Sequence, residues 1–200
     1  MLALILAGGG GSRLKMGEKP MVNVRGSPMI ARVTGAFQSA GLEVVVALTE
    51  RVPYTANWCR AHSIPFVVTE GRGYIEDLVE AVMTLEEEGP LFTSVVDIPC
   101  LTPKTVEVIR NVYRVAGTDA LSTWVPCRLI HGAGCIPRYV EVVDGISAGA
   151  AGINVLRGEL IGSYQDELRF LIDEPELAFN VNTRRELACA ERYLTLHQPG

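Results

Sequence analysis

The sequence predicts an α/β protein with a mainly parallel sheet and helices on both of its faces. Three features support this class. Strand-like and helix-like segments alternate along most of the chain, the first strand-like segment is apolar, and a run of glycines follows it. Parallel strands need crossover connections, usually helices, so this alternation favours a parallel sheet. Strands buried on both faces give continuous apolar runs like the one that opens this chain.

The first half of the chain predicts strands in regular alternation with helices. The strands are expected at residues 2–6, 44–48, 65–69 and 91–96, and the helices at 28–40, at 74–88 and from Pro103 onward. The helix over 74–88 has the clearest pattern, because its apolar residues recur at helical spacing and share one face. Thr102 is the expected N-cap of the helix at Pro103, since proline is favoured in the first helical position. Ligands of such sheets bind beyond the carboxyl ends of the strands, so the segments after Leu6, Leu48, Thr69 and Val96 are the expected ligand contacts.

The second half of the chain is less regular. Strands are expected at 120–125 and 152–156, and the residues between them include several glycines and prolines. A further strand is expected at 177–181, and Thr183 and Glu186 form a capping box that opens a last helix. Because no repeat, low-complexity segment or linker divides the sequence, residues 1–200 are predicted to form a single domain.

The composition excludes several classes of protein. It is 48% apolar and 20% charged, which is ordinary for a globular protein, and the net charge of −5 argues against a nucleic-acid partner. No apolar run is long enough to span a bilayer, and residues 1–7 lack the basic start of a signal peptide. The five cysteines contain no C-x-x-C pair, so no disulfide framework is expected and the cytoplasm is the predicted compartment.

A glycine loop follows the first strand and predicts a phosphate site. It comprises Leu6, Ala7, Gly8, Gly9, Gly10, Gly11, Ser12 and Arg13. Consecutive glycines are entropically unfavourable on folding, but they let backbone N–H groups approach an anion closely. Arg13 and Lys19 add positive charge to the same short segment. The alternative is a tight turn with two solvated basic residues.

Two familiar phosphate loops do not fit this segment. The Walker pattern G-x-x-x-x-G-K-[ST] is absent, and the dinucleotide pattern G-x-G-x-x-G fails because Leu14 stands at its third glycine. Gly17 and Pro20 also break the helix that either motif requires. The remaining interpretation is an extended loop that wraps a triphosphate and ends at Glu18-Lys19-Pro20.

These residues carry a resemblance to a known family. The pattern L-A-G-G-x-G-[ST]-R followed by E-K-P resembles the nucleotide-diphosphosugar-transferase-like nucleotidyltransferases, which implies a Rossmann-like, mixed sheet flanked by helices. Three further segments look like the archaeal-type adenosylcobinamide-phosphate guanylyltransferases: GRGYIEDL at 71–78, AGINV at 151–155 and FNVNT at 179–183. The last segment is shared with molybdenum-cofactor guanylyltransferases, so the first is the more discriminating.

The resemblance implies a reaction and its partners. GMP would pass from GTP to adenosylcobinamide phosphate, giving adenosylcobinamide-GDP and pyrophosphate in cobalamin biosynthesis, with Mg²⁺ as cofactor. The expected partners are then GTP and adenosylcobinamide phosphate, and neither a nucleic acid nor a membrane is expected. Whether the protein forms a homodimer is left open. The irregular region 117–160 is the expected corrinoid-binding part. The alternatives are a nucleotidyltransferase for molybdopterin or a sugar phosphate, a GTP-binding module without turnover, and, more distantly, a dinucleotide-dependent oxidoreductase.

Three charged residues are the predicted catalytic groups. Asp97 ends an apolar strand, where a carboxylate is well placed to hold Mg²⁺ on triphosphate oxygens, and the family pattern has its metal-binding aspartate at the matching position. The alternative is an aspartate that caps the next turn. Arg13 and Lys19 are expected to contact phosphates, with Lys19 opposite the charge that develops on the α-phosphate and pyrophosphate. The acceptor phosphate is already anionic at neutral pH, so no general base is required.

Two further groups of residues complete the predicted site. Gly73, Tyr74, Glu76 and Asp77 open the helix at 74, where one carboxylate, or a loop carbonyl, could accept hydrogen bonds from the N1–H and the exocyclic amine of guanine. Carboxylates in a first helical turn are also favoured by the helix dipole alone. Asn154, Asn180 and Asn182 are additional candidates, the last two expected on one face of a final strand. Cys127, His131 and Cys135 have a spacing that could suit zinc, but a fourth ligand is missing and packing is the favoured interpretation.

Overall fold

A mixed eight-stranded sheet runs through the centre of the structure, a computed structural model that describes residues 1–9 and 14–197. The strands in chain order are β1 (Leu2–Leu6), β2 (Asn23–Val24), β3 (Ser27–Pro28), β4 (Glu43–Thr49), β5 (Phe66–Thr69), β6 (Pro90–Val95), β7 (Ala120–Pro126), β8 (Val140–Val143), β9 (Ile146–Arg157) and β10 (Glu167–Leu171). Strands β2 and β3 form a separate antiparallel pair, and the other strands belong to the central sheet.

The sheet is mostly parallel, with one reversed strand in its interior. Its order is β10-β7-β9-β6-β1-β4-β5, and β8 pairs with β9 outside this order. Strands β6, β1, β4 and β5 are parallel to one another, and β10 is parallel to β7. Strand β9 runs antiparallel to both β6 and β7. This arrangement confirms the predicted fold class.

Helices cover both faces of this sheet. They are α1 (Met29–Ser39), α2 (Pro53–Ala61), α3 (Tyr74–Thr84), α4 (Pro103–Ala116), α5 (Cys127–Gly132) and α6 (Arg184–His197). On one face Ile5 of β1 belongs to a core cluster with Phe37 of α1 and Ile109 of α4. On the other face Leu4 clusters with Leu78 of α3. Successive residues of β1 therefore face opposite layers, which explains why this strand is apolar throughout.

The predicted strand at 177–181 is wrong. Residues Pro175–Ala178 form a short 3-10 helix, and the chain then runs without regular structure until α6. The buried carboxylate of Glu176 accepts hydrogen bonds from Thr102 and Thr105 at the start of α4. The apolar run is thus buried against helices, and apolar character alone does not distinguish such a segment from a strand.

The other differences concern the limits and number of elements. The helix predicted at 74–88 ends at Thr84, and the strand predicted at 152–156 extends over Ile146–Arg157. Elements α2, α5, β2, β3, β8 and β10 are absent from the predicted set. In the described part of the chain, no helix combines the length and apolar character needed to cross a bilayer.

Candidate functional site

A cavity of about 300 Å³ lies at the carboxyl ends of β1, β4, β5 and β6. The segments that follow these strands contribute Gly8 and Gly9, Thr49 and Arg51, Gly71 and Gly73, and Val96 and Asp97. Because the four strands are parallel, loops far apart in sequence meet at this one edge. The arrangement brings together most of the segments that the sequence analysis selected, and it adds Arg51, a cation that sequence reasoning missed.

The start of the glycine loop packs closely against β4. A Cβ on Gly8 would lie 2.5 Å from Cγ2 of Thr49, and the Thr49 hydroxyl donates a hydrogen bond of 2.9 Å to the carbonyl oxygen of Gly8. Gly8 is therefore required by packing, whether or not its backbone contacts a phosphate. The predicted contacts Gly10, Gly11, Ser12 and Arg13 lie outside the described residues.

In the Glu18-Lys19-Pro20 triplet, Glu18 has a structural role and Lys19 lies at the cavity. The carboxylate of Glu18 accepts hydrogen bonds from the N–H groups of Tyr54 (2.8 Å) and Thr55 (2.7 Å) and from the Thr55 hydroxyl (2.6 Å). These N–H groups belong to the first turn of α2, so Glu18 supplies the acceptor that such a helix end needs. Fixed in this way, Glu18 holds the next residue, Lys19, at the rim of the cavity.

Lys19 lies in a hydrogen-bonded cluster with Asp97, Asn180 and Asn182, called here the Lys19–Asp97 cluster. The ammonium group of Lys19 contacts Oδ2 of Asp97 and donates a 2.5 Å hydrogen bond to Oδ1 of Asn182. Asn180 donates a 3.0 Å hydrogen bond to Oδ1 of Asp97, and Asn182 donates to the Asn180 side chain. Both oxygens of the Asp97 carboxylate therefore have partners in the protein itself.

The turn before α6 holds the two asparagines in place. The N–H of Val181 donates a 2.7 Å hydrogen bond to the carbonyl oxygen of Asp97. The hydroxyl of Thr183 accepts from the N–H of Glu186 (3.2 Å), and the Glu186 carboxylate accepts from the N–H of Asn182 (2.9 Å). Thr183 caps α6 as expected, but the reciprocal hydrogen bond of the predicted capping box is shifted by one residue, since Glu186 accepts from the N–H of Asn182 and not from that of Thr183.

The loop between β5 and α3 forms the opposite wall of the cavity. Oδ1 of Asp77 accepts hydrogen bonds from the N–H groups of Gly71 (3.0 Å) and Arg72 (3.1 Å), so this oxygen holds the loop in shape. Asp77 lines the cavity, whereas Glu76 is exposed and does not line it. Of the two carboxylates proposed to recognise guanine, Asp77 is therefore the one placed beside the cavity.

Tyr74 joins this loop to the strand that leads to Asp97. Its ring lines the cavity and 42% of the residue is exposed, but burial of the hydroxyl raises the pKa of Tyr74, and the nearby charge of Asp97 acts in the same direction. The hydroxyl lies close to Thr93, whose own buried hydroxyl has no well-formed hydrogen bond with the described residues. Tyr74 thus connects the β5–α3 side of the cavity with Thr93 of β6.

Asn154 lies apart from the other two predicted asparagines. It is half-buried on β9, directly opposite Thr93 of β6 and Ser122 of β7. Residues opposite each other in antiparallel strands share a face of the sheet, so Asn154 is next to Thr93 and Ser122. The structure does not bring it into the Lys19–Asp97 cluster.

The five cysteines are free thiols. Burial raises the pKa of Cys59 to about 11 and those of Cys100 and Cys135 to about 12. Cys189 is also buried, whereas Cys127 is half-buried. Within residues 1–9 and 14–197, no three His, Cys, Asp or Glu side chains are grouped so that they could hold a metal. The spacing of Cys127, His131 and Cys135 therefore does not give a three-ligand zinc site.

The chain is similar in sequence to known transferases. Residues 3–154 match the family described as the MobA-like NTP transferase domain. The chain is 29% identical to the adenosylcobinamide-phosphate guanylyltransferase of Methanocaldococcus jannaschii, over 97% of each chain.

Solved structures share the fold at low identity. A hypothetical transferase from Thermus thermophilus has a TM-score of 0.71 and 19% identity, covering 93% of this chain and 98% of its own. The molybdopterin-guanine dinucleotide biosynthesis protein A of Archaeoglobus fulgidus has a TM-score of 0.65 and 18% identity, covering 98% of this chain and 100% of its own. With its fold, its glycine loop and a family match over more than half of its length, the chain belongs to the MobA-like NTP transferase family of nucleotidyltransferases.

Proposed function

We propose that this protein transfers GMP from GTP to adenosylcobinamide phosphate, giving adenosylcobinamide-GDP and pyrophosphate. The observation that carries this proposal is the Lys19–Asp97 cluster at the rim of the cavity, beside the glycine loop. The relative from Methanocaldococcus jannaschii, which aligns over nearly the whole chain, supports the choice of substrates. The segments GRGYIEDL and AGINV support the same choice.

The nucleotide would extend across the cavity from the glycine loop to the β5–α3 loop. Its triphosphate would lie along residues 6–13, where Gly8 and Gly9 leave the backbone accessible and Lys19 provides a cation. Its guanine would lie near Gly73 and Asp77. The second carboxylate oxygen of Asp77 is not used in holding the loop, and an acceptor there would favour guanine over adenine.

Asp97 fits the role of a magnesium ligand. Mg²⁺ is commonly bound through one or two carboxylates together with substrate phosphates, so a single well-placed aspartate is sufficient. Asp97 is half-buried at the end of β6, with the amide of Asn180 beside it. A magnesium ion bound there would supply positive charge to the triphosphate oxygens during the reaction.

The protein's own groups would position the reactants and stabilise charge. An oxygen of the acceptor phosphate attacks the α-phosphorus of GTP, the bond from that phosphorus to the β-phosphate oxygen breaks, and pyrophosphate leaves. Lys19 would release Asp97 and turn its ammonium group to the phosphates as charge moves to the leaving group. Asn182, which contacts Lys19 directly, would limit the positions that the lysine can adopt. The main tasks are thus to align anions and reduce their repulsion.

The test is release of pyrophosphate in the presence of Mg²⁺. We expect release with GTP and adenosylcobinamide phosphate together, and much less with ATP, CTP or UTP. An Asp97→Ala variant should lose most turnover, by a factor on the order of a hundred or more. If the protein binds GTP but releases no pyrophosphate with any acceptor tested, it is a binding module and not an enzyme. If Asp97→Ala keeps full turnover, the assignment of Asp97 as the metal ligand is refuted.

Product identity separates the remaining family functions. A MobA-like family membership is also compatible with molybdopterin or a sugar phosphate as acceptor. Mass spectrometry of the product distinguishes adenosylcobinamide-GDP from a molybdopterin dinucleotide or a nucleotide sugar. Turnover with one of these other acceptors, and none with adenosylcobinamide phosphate, would overturn the proposed substrate.

A further inference from the structure

A second cavity, of about 470 Å³, lies between the end of α5 and the beginning of α6. One wall is formed by His131 and residues 134–136, and the other by Thr183, Arg185 and Glu186. The first wall falls within the irregular region 117–160. This cavity is called here the α5–α6 cavity.

The α5–α6 cavity is connected to the Lys19–Asp97 cluster through Asn182. The side chain of Asn182 contacts the ammonium group of Lys19 at 2.5 Å, while its N–H donates to the Glu186 carboxylate at 2.9 Å. Lys19 lines the first cavity, at the carboxyl ends of β1, β4, β5 and β6, and Glu186 lines the α5–α6 cavity. Asn182 therefore links a residue that lines the first cavity with a residue that lines the second.

Arg185 makes this cavity suitable for an anion. It is exposed in the first turn of α6 and forms no ion pair with any described residue. Burial raises the pKa of the Cys135 thiol in the opposite wall, the negative charge of Glu186 adds to that rise, and the positive charge of Arg185 opposes it. Cations are disfavoured in a first helical turn, where the helix dipole is already positive, and an anion relieves that repulsion. The Glu186 carboxylate in the same wall is engaged by the N–H of Asn182 and the hydroxyl of Thr183.

We infer that the α5–α6 cavity binds the acceptor, and that Arg185 holds its phosphate monoester. This inference rests on the proposed function, because it takes the acceptor to be a phosphate monoester that must reach the α-phosphate of GTP. A guanidinium group suits this task, since its planar fork can donate two hydrogen bonds to one phosphate. In the opposite wall, the largely exposed apolar side chain of Ile136 would contact the organic part of the acceptor.

The chain provides a matched control for this inference. Arg184 and Arg185 are neighbouring exposed cations in the same helical turn, but Arg185 lines the cavity and Arg184 does not. We expect Arg185→Ala to raise the KM for adenosylcobinamide phosphate about tenfold or more, with the KM for GTP unchanged. Arg184→Ala should change the acceptor KM less than about twofold, and Arg185→Lys should recover part of the loss. Equal effects of Arg184→Ala and Arg185→Ala, or no effect of either, would overturn the inference.

A binding measurement keeps this inference distinct from the proposed function. If the wild-type protein does not turn over adenosylcobinamide phosphate, the proposed acceptor is refuted, and inorganic phosphate then serves as the probe. With the nucleotide site filled by a non-hydrolysable GTP analogue, added phosphate should shift the amide NMR signals of Gly134 and Thr183 in the wild type and in Arg184→Ala. It should leave them unmoved in Arg185→Ala. Absence of these shifts in the wild type, or their persistence in Arg185→Ala, would refute the anion site.

Discussion

At the scale of single residues, Lys19 and Asp97 form an ion pair whose opposite charges compensate each other. Each side chain is only 14% exposed, so the pair has lost much of its hydration. Hydrogen bonds with Asn180 and Asn182 compensate part of that loss. The sequence predicted both charged residues as catalytic. It did not predict their contact, because that contact joins positions 78 residues apart.

This ion pair should oppose binding of a free metal ion. We expect Lys19→Met to bind Mn²⁺, a spectroscopic substitute for Mg²⁺, about tenfold more tightly than the wild type when no nucleotide is present. The substitution keeps the Asp97 carboxylate but removes the ammonium group that competes with a metal cation. Titration of free Mn²⁺ by electron paramagnetic resonance measures the difference. The double variant Lys19→Met/Asp97→Asn should lose the gain, and equal affinities of wild type and Lys19→Met would contradict the expectation.

At the scale of secondary structure, a residue from one loop completes the beginning of a distant helix. Glu18 accepts three hydrogen bonds from Tyr54 and Thr55, although α2 begins far along the chain at Pro53. No side chain within α2 or at its N-cap provides this acceptor. The sequence could not reveal the role of Glu18, because α2 was not predicted.

Loss of this cap should affect stability and turnover together. We expect Glu18→Gln to lower the free energy of unfolding by about 1–2 kcal/mol, because glutamine has one acceptor oxygen where the carboxylate uses two, and the hydrogen bonds that remain lose their charge assistance. Turnover should fall several-fold, since Lys19 follows directly. Urea denaturation measures the first effect. Glu107→Gln, an exposed change on α4, is the control and should stay within about 0.5 kcal/mol of the wild type. Matching values for the two variants would refute the capping role.

Most of the strands that the sequence predicted well are buried on both faces. Strand β1 and its parallel neighbours are recognisable because nearly every residue is apolar. Strand β10 alternates polar and apolar residues, and this period of two in Glu167, Leu168, Arg169 and Phe170 could have revealed it. By contrast, the segment 177–181 is apolar without being a strand, and no local pattern shows that helices rather than strands cover it.

At the scale of the whole molecule, β9 joins two parallel groups of strands. It pairs with β6 on one side and with β7 on the other, and the register along β7 shifts between Ser122 and Trp124. Within β9, Gly152 has a φ of +80°, and a Cβ there would lie 2.5 Å from Cγ2 of Val95. The backbone conformation and the close approach both require glycine.

A pair of glycine substitutions can separate these two requirements. Gly145 has a φ of +78° but open space around its Cβ position, so Gly145→Ala should cost about 1 kcal/mol of unfolding free energy from backbone strain alone. Gly152→Ala adds the clash with Val95 and should cost about 3 kcal/mol or more. Urea denaturation of both variants measures the difference. Equal losses would show that the sheet adjusts to the added methyl group.

The position of the cavity beside Asp97 could be predicted at this scale, whereas that of the α5–α6 cavity could not. The first cavity follows from parallel strands whose carboxyl ends share one edge, and Asp97 was identified for that reason. The second depends on α5 meeting α6, two helices from distant parts of the chain. Arg185 has no local feature that distinguishes it from Arg184, so its role required the tertiary structure.

The burial of the thiols determines which cysteine a labelling reagent modifies first. Thiolates react with alkylating reagents, so a buried thiol with a raised pKa reacts slowly at neutral pH. Cys127 is half-buried at the beginning of α5, while the other four cysteines are buried. A maleimide dye would therefore attach there first, without any engineered cysteine. Since α5 leads into the wall of the α5–α6 cavity, the natural sequence already carries a position from which fluorescence could report acceptor binding.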